Sequence, residues 1–197
     1  VTTQSITLPA TAGSLAVAMA DDGRFVVVWE RAVGGQSQVQ MRVFDAHGVT
    51  VTGILTLSTA PGQWYLPDVA IHPTTGEFAV GYTYQADGPV VPGHVYDTQV
   101  YVQRFGATGT ALGGPIAVSS TDGKAPELAM DREGRILVVW NADHLLGRFI
   151  TADGALAGDA FVITESAVGE GLIQTTSVAM DGEGHFVVAW DQMRSAV

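Results

Sequence analysis

The sequence predicts an all-β fold, a β-propeller built of four-stranded antiparallel blades, and three observations lead to this prediction. Nearly the same segment occurs near both ends of the chain, VAMADDGRFVVVW at 17–29 and VAMDGEGHFVVAW at 178–190. Apolar residues form short runs such as FVVVW and ILVVW, bounded by Gly and Asp, which is typical of buried strands. No segment shows a sustained helical periodicity, so we expect essentially no helix.

An internal repeat defines the blades. In each unit a Met or Ile, a turn glycine and an aromatic residue follow at nearly constant spacing: Met19, Gly23 and Trp29; Ile71, Gly76 and Tyr82; Met130, Gly134 and Trp140; Met180, Gly184 and Trp190. We place the repeat units at about 14–59, 67–120, 126–165 and 175–197, with 4–10 as a closing outer strand. About four repeats are visible, and the first and last are incomplete.

Each unit is expected to form four strands in meander order. The first strand is LAVAM, DVAIH, ELAMD or SVAMD, and its small residues suit a crowded position near an axis. The second is the apolar run, and Asp- and Gly-rich turns such as DREG join it to the first. The third contains Arg42, Arg104 or Arg148, and the fourth resembles ILTLS. Because such a sheet cannot bury both faces alone, neighbouring blades must cover them.

The strand count leaves three alternatives for ring closure. The protein continues into further blades, or DQMRSAV at 191–197 supplies a short third strand that closes a four-bladed ring. In the third alternative, two chains join into one ring of about seven or eight blades by sharing strands.

Composition excludes several classes of function. The chain has 9 basic and 20 acidic residues and a net charge of −11, so it lacks the basic surface that a nucleic-acid partner requires. Its apolar runs are too short to insert into a membrane. The absence of cysteine excludes disulfides, zinc–thiolate sites and cysteine nucleophiles. We predict no cofactor, and the acidity leaves only calcium open as an alternative.

The pattern VAMDxxGxFVVVW followed by QRFDAxGxxLG resembles the repeat of bacterial exported β-propeller proteins, from Ser5 to Gln192. The resemblance implies a module of a large adhesin-like or lectin-like protein, secreted or at the bacterial cell surface. Members of that family often have an acidic, Gly-rich stretch between the second and third strands. Here RAVGGQSQ at 31–38 is not acidic and NADHL at 141–145 is very short, so a calcium role is not carried over.

Two segments supply the candidate ligand-binding residues. The loop QADGPVVPGHVYDT at 85–98 is the longest connection between second and third strands, and loops of this kind often have functional roles. His94 with Asp97 is either an acid–base pair, half of a metal site, or simply solvated. Trp64 and Tyr65 either stack on a ligand or lie buried under the rim. The predicted ligand-binding residues are Trp64, Tyr65, Asp87, His94, Tyr96 and Asp97.

Other recurring residues are assigned structural roles, and no catalytic or metal-binding residue is predicted. The aromatic residues Trp29, Tyr82, Trp140 and Trp190 are expected to pack between blades, and Asp131 and Asp181 to cap hairpins. No acidic residue stands out at a strand end that faces the axis. We therefore expect a non-enzymatic module that binds glycans or proteins. The alternatives are part of a polysaccharide-cleaving propeller enzyme, a glycosidase or lyase, or a structural subunit of a surface assembly.

Overall fold

The computed structural model describes residues 5–9, 12–57, 61–87, 98–120, 122–164 and 173–192, and these form strands and no helix. The first sheet contains β1 Ala12–Met19, β2 Phe25–Val33, β3 Gln36–Phe44 and β4 Leu55–Thr56. The second contains β5 Gln63–Ile71, β6 Phe78–Gln85, β7 Thr98–Phe105 and β8 Ile116–Ala117. The third contains β9 Lys124–Met130, β10 Ile136–Asn141, β11 Leu145–Ile150 and β12 Leu156–Thr164. The last pairs β13 Ile173–Met180 with β14 Phe186–Gln192.

Within each sheet the strands follow in chain order and pair antiparallel, which confirms the predicted four-stranded blades. The turn aspartates have the predicted capping role. The Asp131 Oδ1 accepts hydrogen bonds from the backbone N–H groups of Glu133 and Arg135, both at 2.9 Å. Asp181 Oδ1 accepts equivalent bonds in the last sheet. In the described part of the chain, no helix could cross a membrane.

Neighbouring blades pack through two unlike faces of the first strand. In β5, Val69 and Ile71 lie in the core shared with the first blade, whereas Ala70 lies in the core shared with the third. In β9, Leu128 faces the second blade in the same way. Large side chains of a first strand therefore contact the preceding blade, and small ones contact the following blade.

The recurring aromatic residues lie on the face toward the preceding blade. Tyr82 and Trp140 are buried in the two inter-blade cores, as predicted. Trp29 has no preceding blade in the described structure, and Ile6 and Leu8 pack against its cluster. Residues 5–9, which lie within the predicted closing strand, form no strand here. Trp190 in the last sheet stays 43% exposed.

Both ends of the array of blades have exposed apolar residues. Leu15, Val17 and Met19 on β1 are 60%, 60% and 63% exposed, and Val187 on β14 is 64% exposed. In a closed four-bladed ring the last blade would cover the β1 side chains. The described blades form an open arc in which the first and last sheets each present an uncovered face.

The arc predicts that equivalent residues differ in their contribution to stability. Val69→Ala should lower the free energy of unfolding by about 1–3 kcal/mol, because Val69 is buried against the first blade. Val17→Ala, at the equivalent exposed position of β1, should change it by less than about 0.5 kcal/mol. Urea denaturation of both variants measures the difference. Equal losses would mean that another blade or chain covers β1 in solution.

Candidate functional site

Two acidic residues occupy the same position in neighbouring first strands. Asp68 lies three residues before Ile71 at the end of β5, and Glu127 lies three residues before Met130 at the end of β9. The other first strands have Ala16 and Ser177 at this position. β5 and β9 contact each other. Asp68 lies on the face of β5 toward the third blade, whereas Glu127 pairs with Val139, whose side chain packs toward the last sheet, so the two carboxyl groups occupy equivalent positions at successive blade junctions.

A β-bulge precedes each of these carboxylates. The pairing of β5 with β6 shifts between Tyr65 and Asp68, and that of β9 with β10 shifts between Lys124 and Glu127. Register shifts also occur in β1, between Ala12 and Leu15, and in β13, between Ile173 and Thr176, so an irregularity of this kind is common to all four first strands.

The bulges contain strained backbone. Leu66 has φ +51° and Ala125 has φ +50°, two of the three positive values among non-glycine residues in the described ranges. Each precedes a proline, Pro67 or Pro126, and the acidic residue follows directly. A left-handed residue with a side chain costs on the order of 1–3 kcal/mol and is found mainly where function or packing requires it.

Asp68 lies in the junction between the second and third blades. Its Oδ2 accepts a hydrogen bond of 2.6 Å from the backbone N–H of Leu128, the residue after Glu127. The third blade approaches closely here because Gly81, which pairs with Asp68, has no side chain: a Cβ there would lie 2.4 Å from Leu128 Cδ1. Burial raises the pKa of Asp68 to about 6, although the N–H groups of Leu128 and Val69 favour the ionised form.

Glu127 has the higher pKa of the two. Burial, followed by the negative charge of Asp68, raises the pKa of Glu127 to about 7. Near neutral pH the pair therefore has one carboxylate that is mostly ionised and one that is half protonated. A protonated and an ionised carboxyl are the two groups that acid–base catalysis requires.

Trp64 is buried under the rim, one of the two alternatives that the sequence leaves open. It is 7% exposed, and its ring packs at 5.0 Å from that of Tyr82 and 4.7 Å from that of Tyr84, centroid to centroid. Trp64 thus joins an aromatic cluster in the first inter-blade core. Its ring face is occupied by other side chains.

Tyr65 and Asp87, two of the other predicted ligand-binding residues, lie at the same end of the second blade. Tyr65 is half-buried and directly precedes the bulge before Asp68. Asp87 is exposed, and its Oδ2 accepts a hydrogen bond of 3.1 Å from Gln36 Nε2 in the first blade. His94, Tyr96 and Asp97 lie outside the described residues, so their ligand role stays a prediction. Within the described ranges, no three His, Asp or Glu side chains cluster as metal ligands do.

The sequence analysis missed Asp68 and Glu127, although a signal was present. The segments LPDVAI at 66–71 and APELAM at 125–130 place proline and an acidic residue at equal positions of two consecutive units. Both strands lie at the edge of their sheets, where proline is tolerated, and proline also occurs at bulges. The proline followed by an acid occurs in these two units and is absent from the equivalent positions of the other two, Leu15-Ala16 and Thr176-Ser177.

The chain resembles several solved structures of carbohydrate-active enzymes. It aligns with an α-L-arabinofuranosidase from Fusarium graminearum, solved with an iminosugar inhibitor, at TM-score 0.59 and 14% identity, covering 92% of this chain and 56% of that one. A Hadza microbial sialidase aligns at 0.56 and 11%, covering 93% and 46%. An endo-arabinase from Bacteroides thetaiotaomicron aligns at 0.55 and 13%, covering 88% and 68%. No family model and no curated protein sequence matches the chain.

At these identities the similarity establishes the fold. The chain is a β-propeller arc. It spans about half the length of the sialidase and the arabinofuranosidase. The prediction of a non-enzymatic binding module is wrong, because the similar structures are mostly enzymes that act on glycans. They favour the alternative, part of a propeller enzyme that acts on polysaccharide.

The two raised pKa values predict a pH-dependent loss of stability. Below about pH 3 both carboxyls are protonated in the folded and the unfolded chain. As the pH rises toward 7, the unfolded chain releases these protons first, so the free energy of unfolding falls. Asp68→Asn and Glu127→Gln should each reduce this fall, by on the order of 1 kcal/mol, in urea denaturation at pH 4 to 8.

Asp181→Asn is the matched control with the opposite sign. The hydrogen bond from His185 lowers the pKa of Asp181, so this carboxylate stabilises the fold above pH 4. Its replacement should reduce stability at neutral pH, whereas the Asp68 and Glu127 variants should raise it. Identical pH profiles for all three variants would contradict the desolvation of Asp68 and Glu127.

Proposed function

We propose that this chain is part of a β-propeller enzyme that hydrolyses glycosidic bonds in polysaccharides, with Glu127 and Asp68 as its catalytic carboxyls. The observation that supports this proposal is the acidic residue repeated at one position of β5 and β9. Two neighbouring blades place carboxyl groups at equal positions after strained bulges, and each group is partly removed from water. The other two first strands have no acid there.

The chemistry follows from the protonation states. Glu127, with the higher pKa, donates its proton to the glycosidic oxygen as the bond from that oxygen to the anomeric carbon breaks. Asp68, mostly ionised near neutral pH, stabilises the positive charge that develops on the sugar ring and accepts a proton from the attacking water. The charge on Asp68 also keeps the proton on Glu127 until substrate binds.

The enzymes of similar fold support a glycan as substrate. An arabinofuranosidase, an endo-arabinase and a sialidase share the fold, and their names place their substrates among carbohydrates. The chain's net charge of −11 favours neutral polysaccharides over strongly anionic ones, since like charges repel. We propose arabinose-containing polysaccharide as the first substrate class to test.

Two sequence-based predictions accompany this function as proposals. The repeat pattern supports membership of the bacterial exported β-propeller proteins, and that membership supports a secreted or cell-surface location. A polymeric substrate fits that location, because polysaccharides are degraded outside the cell. Protein partners and self-association by strand sharing remain predictions from the sequence.

The proposal predicts that hydrolysis depends on both carboxyls. Release of reducing sugar from linear arabinan and arabinoxylan, and cleavage of para-nitrophenyl α-L-arabinofuranoside and a methylumbelliferyl sialoside, should be measured from pH 4 to 9. Glu127→Gln should lower the rate on the cleaved substrate about 100- to 10,000-fold, and Asp68→Asn by a similar factor. The wild-type profile should be bell-shaped, with apparent pKa values of the pair near 6 and 7.

Glu183→Gln is the control, because Glu183 lies in the hairpin turn between β13 and β14 and its side chain is 84% exposed. This variant should retain the wild-type rate. The proposed function fails if no substrate in the panel is cleaved, or if Glu127→Gln and Asp68→Asn keep the rate of the control.

A further inference from the structure

Thr83 forms a hydrogen bond across the same junction. It lies on β6 of the second blade, and its side chain is fully buried. Its Oγ1 accepts a hydrogen bond of 2.9 Å from the backbone N–H of Ala125 in the third blade. Ala125 is the left-handed residue of the bulge that precedes Glu127. A buried hydroxyl of one blade thus fixes the strained residue of the next.

The bulge at Ala125 sets the direction of Glu127. Lys124 pairs with Asn141 and Glu127 pairs with Val139, so Ala125 and Pro126 together lie opposite one residue of β10. Successive side chains of a strand point to opposite faces, and one residue more or less would reverse the face of each later side chain. The bulge must therefore persist for Glu127 to keep its present face of β9. Pro126 has no N–H, which leaves the N–H of Ala125 as the donor of this bulge.

Thr83 is also adjacent to the bulge that precedes Asp68. Its backbone pairs with Tyr65, the last paired residue of β5 before the register shift that leads to Asp68. One residue therefore contacts the bulge of each carboxylate. The backbone of Thr83 pairs beside the bulge of β5, and its hydroxyl accepts the hydrogen bond from the bulge of β9.

We propose that Thr83 is a positioning residue that holds the Ala125 bulge and so sets the direction and the burial of the Glu127 side chain. This inference rests on the proposed function, because it assigns Thr83 to the same catalytic pair. Thr83 acts through Glu127 and does not itself exchange a proton with substrate. Loss of its hydroxyl should let the bulge relax and move Glu127 toward water.

The test is an NMR titration of the Glu127 side-chain carboxyl carbon in four proteins. Thr83→Val removes the hydroxyl and preserves the shape, and Thr83→Ser retains the hydroxyl. Thr98→Val removes a second fully buried hydroxyl of the same blade, one that has no hydrogen-bond partner. In Thr83→Val the midpoint of Glu127 should move at least half a pH unit toward the ordinary glutamate value. It should stay at the wild-type value in Thr83→Ser and Thr98→Val.

Three outcomes would overturn the inference. The first is a wild-type midpoint for Glu127 in Thr83→Val, and the second is an equal shift in Thr98→Val. Should Thr83→Val not fold, amide hydrogen exchange at Ala125 in the wild-type protein decides. Exchange as fast as that of an unstructured amide would show that the hydroxyl does not hold this N–H, whereas exchange slowed at least 100-fold supports the bond.

The titration also separates this inference from the proposed function. It reads Glu127 without any substrate, so it remains informative if no glycan is cleaved. If hydrolysis is found, Thr83→Val should lower the rate at least tenfold and Thr83→Ser should restore it. If hydrolysis depends on Glu127 but Thr83→Val keeps the wild-type rate, Thr83 has no positioning role. The assignment of the catalytic pair would still hold.

Discussion

The structure depends on blade-to-blade packing, because a four-stranded sheet with two apolar faces is stable only when both are covered. Each first strand meets this requirement with two unlike faces, large side chains toward the preceding blade and small ones toward the following blade. The same need accounts for the consecutive apolar residues of the second strands, for the buried aromatic rings and for the lack of a side chain at Gly81. At β1, which has no preceding blade in the described structure, the equivalent large side chains are exposed.

Blade packing also explains why the carboxyl pair has unusual protonation. A carboxylate on a first strand loses water because the next blade lies against it, and Asp68 receives an N–H of Leu128 in partial exchange. The strained Leu66 and Ala125 add a further cost to folding. A fold that kept Ala16 or Ser177 at the position of the acids in every blade would avoid the cost of removing carboxylates from water. Asp68 and Glu127 occur in two adjacent blades only, which is the pattern expected where stability is lost in favour of chemistry.

The sequence predicted the parts of the fold that repeat, and it failed where two units depart from the repeat. Periodic Met, Gly and Trp positions define the strands, since each unit solves the same packing problem. Asp68 and Glu127 went unnoticed because their significance depends on the contact between β5 and β9, which no single strand reveals. The left-handed Ala125 likewise finds the acceptor for its N–H in Thr83, 42 residues earlier in the chain. The ligand role predicted for the 85–98 loop relied on the length of that loop, and loop length does not show which side chains are removed from water.

The unlike faces of each first strand give the array a polarity. A blade of this design fits between two others in only one orientation, so an added copy of the unit joins at either end without a change to its neighbours. Tandem duplication of the gene segment would therefore lengthen the arc and preserve every existing contact. Each new copy would also bring one more residue to the position of Asp68 and Glu127, so that a single substitution there could place a carboxyl at a new junction.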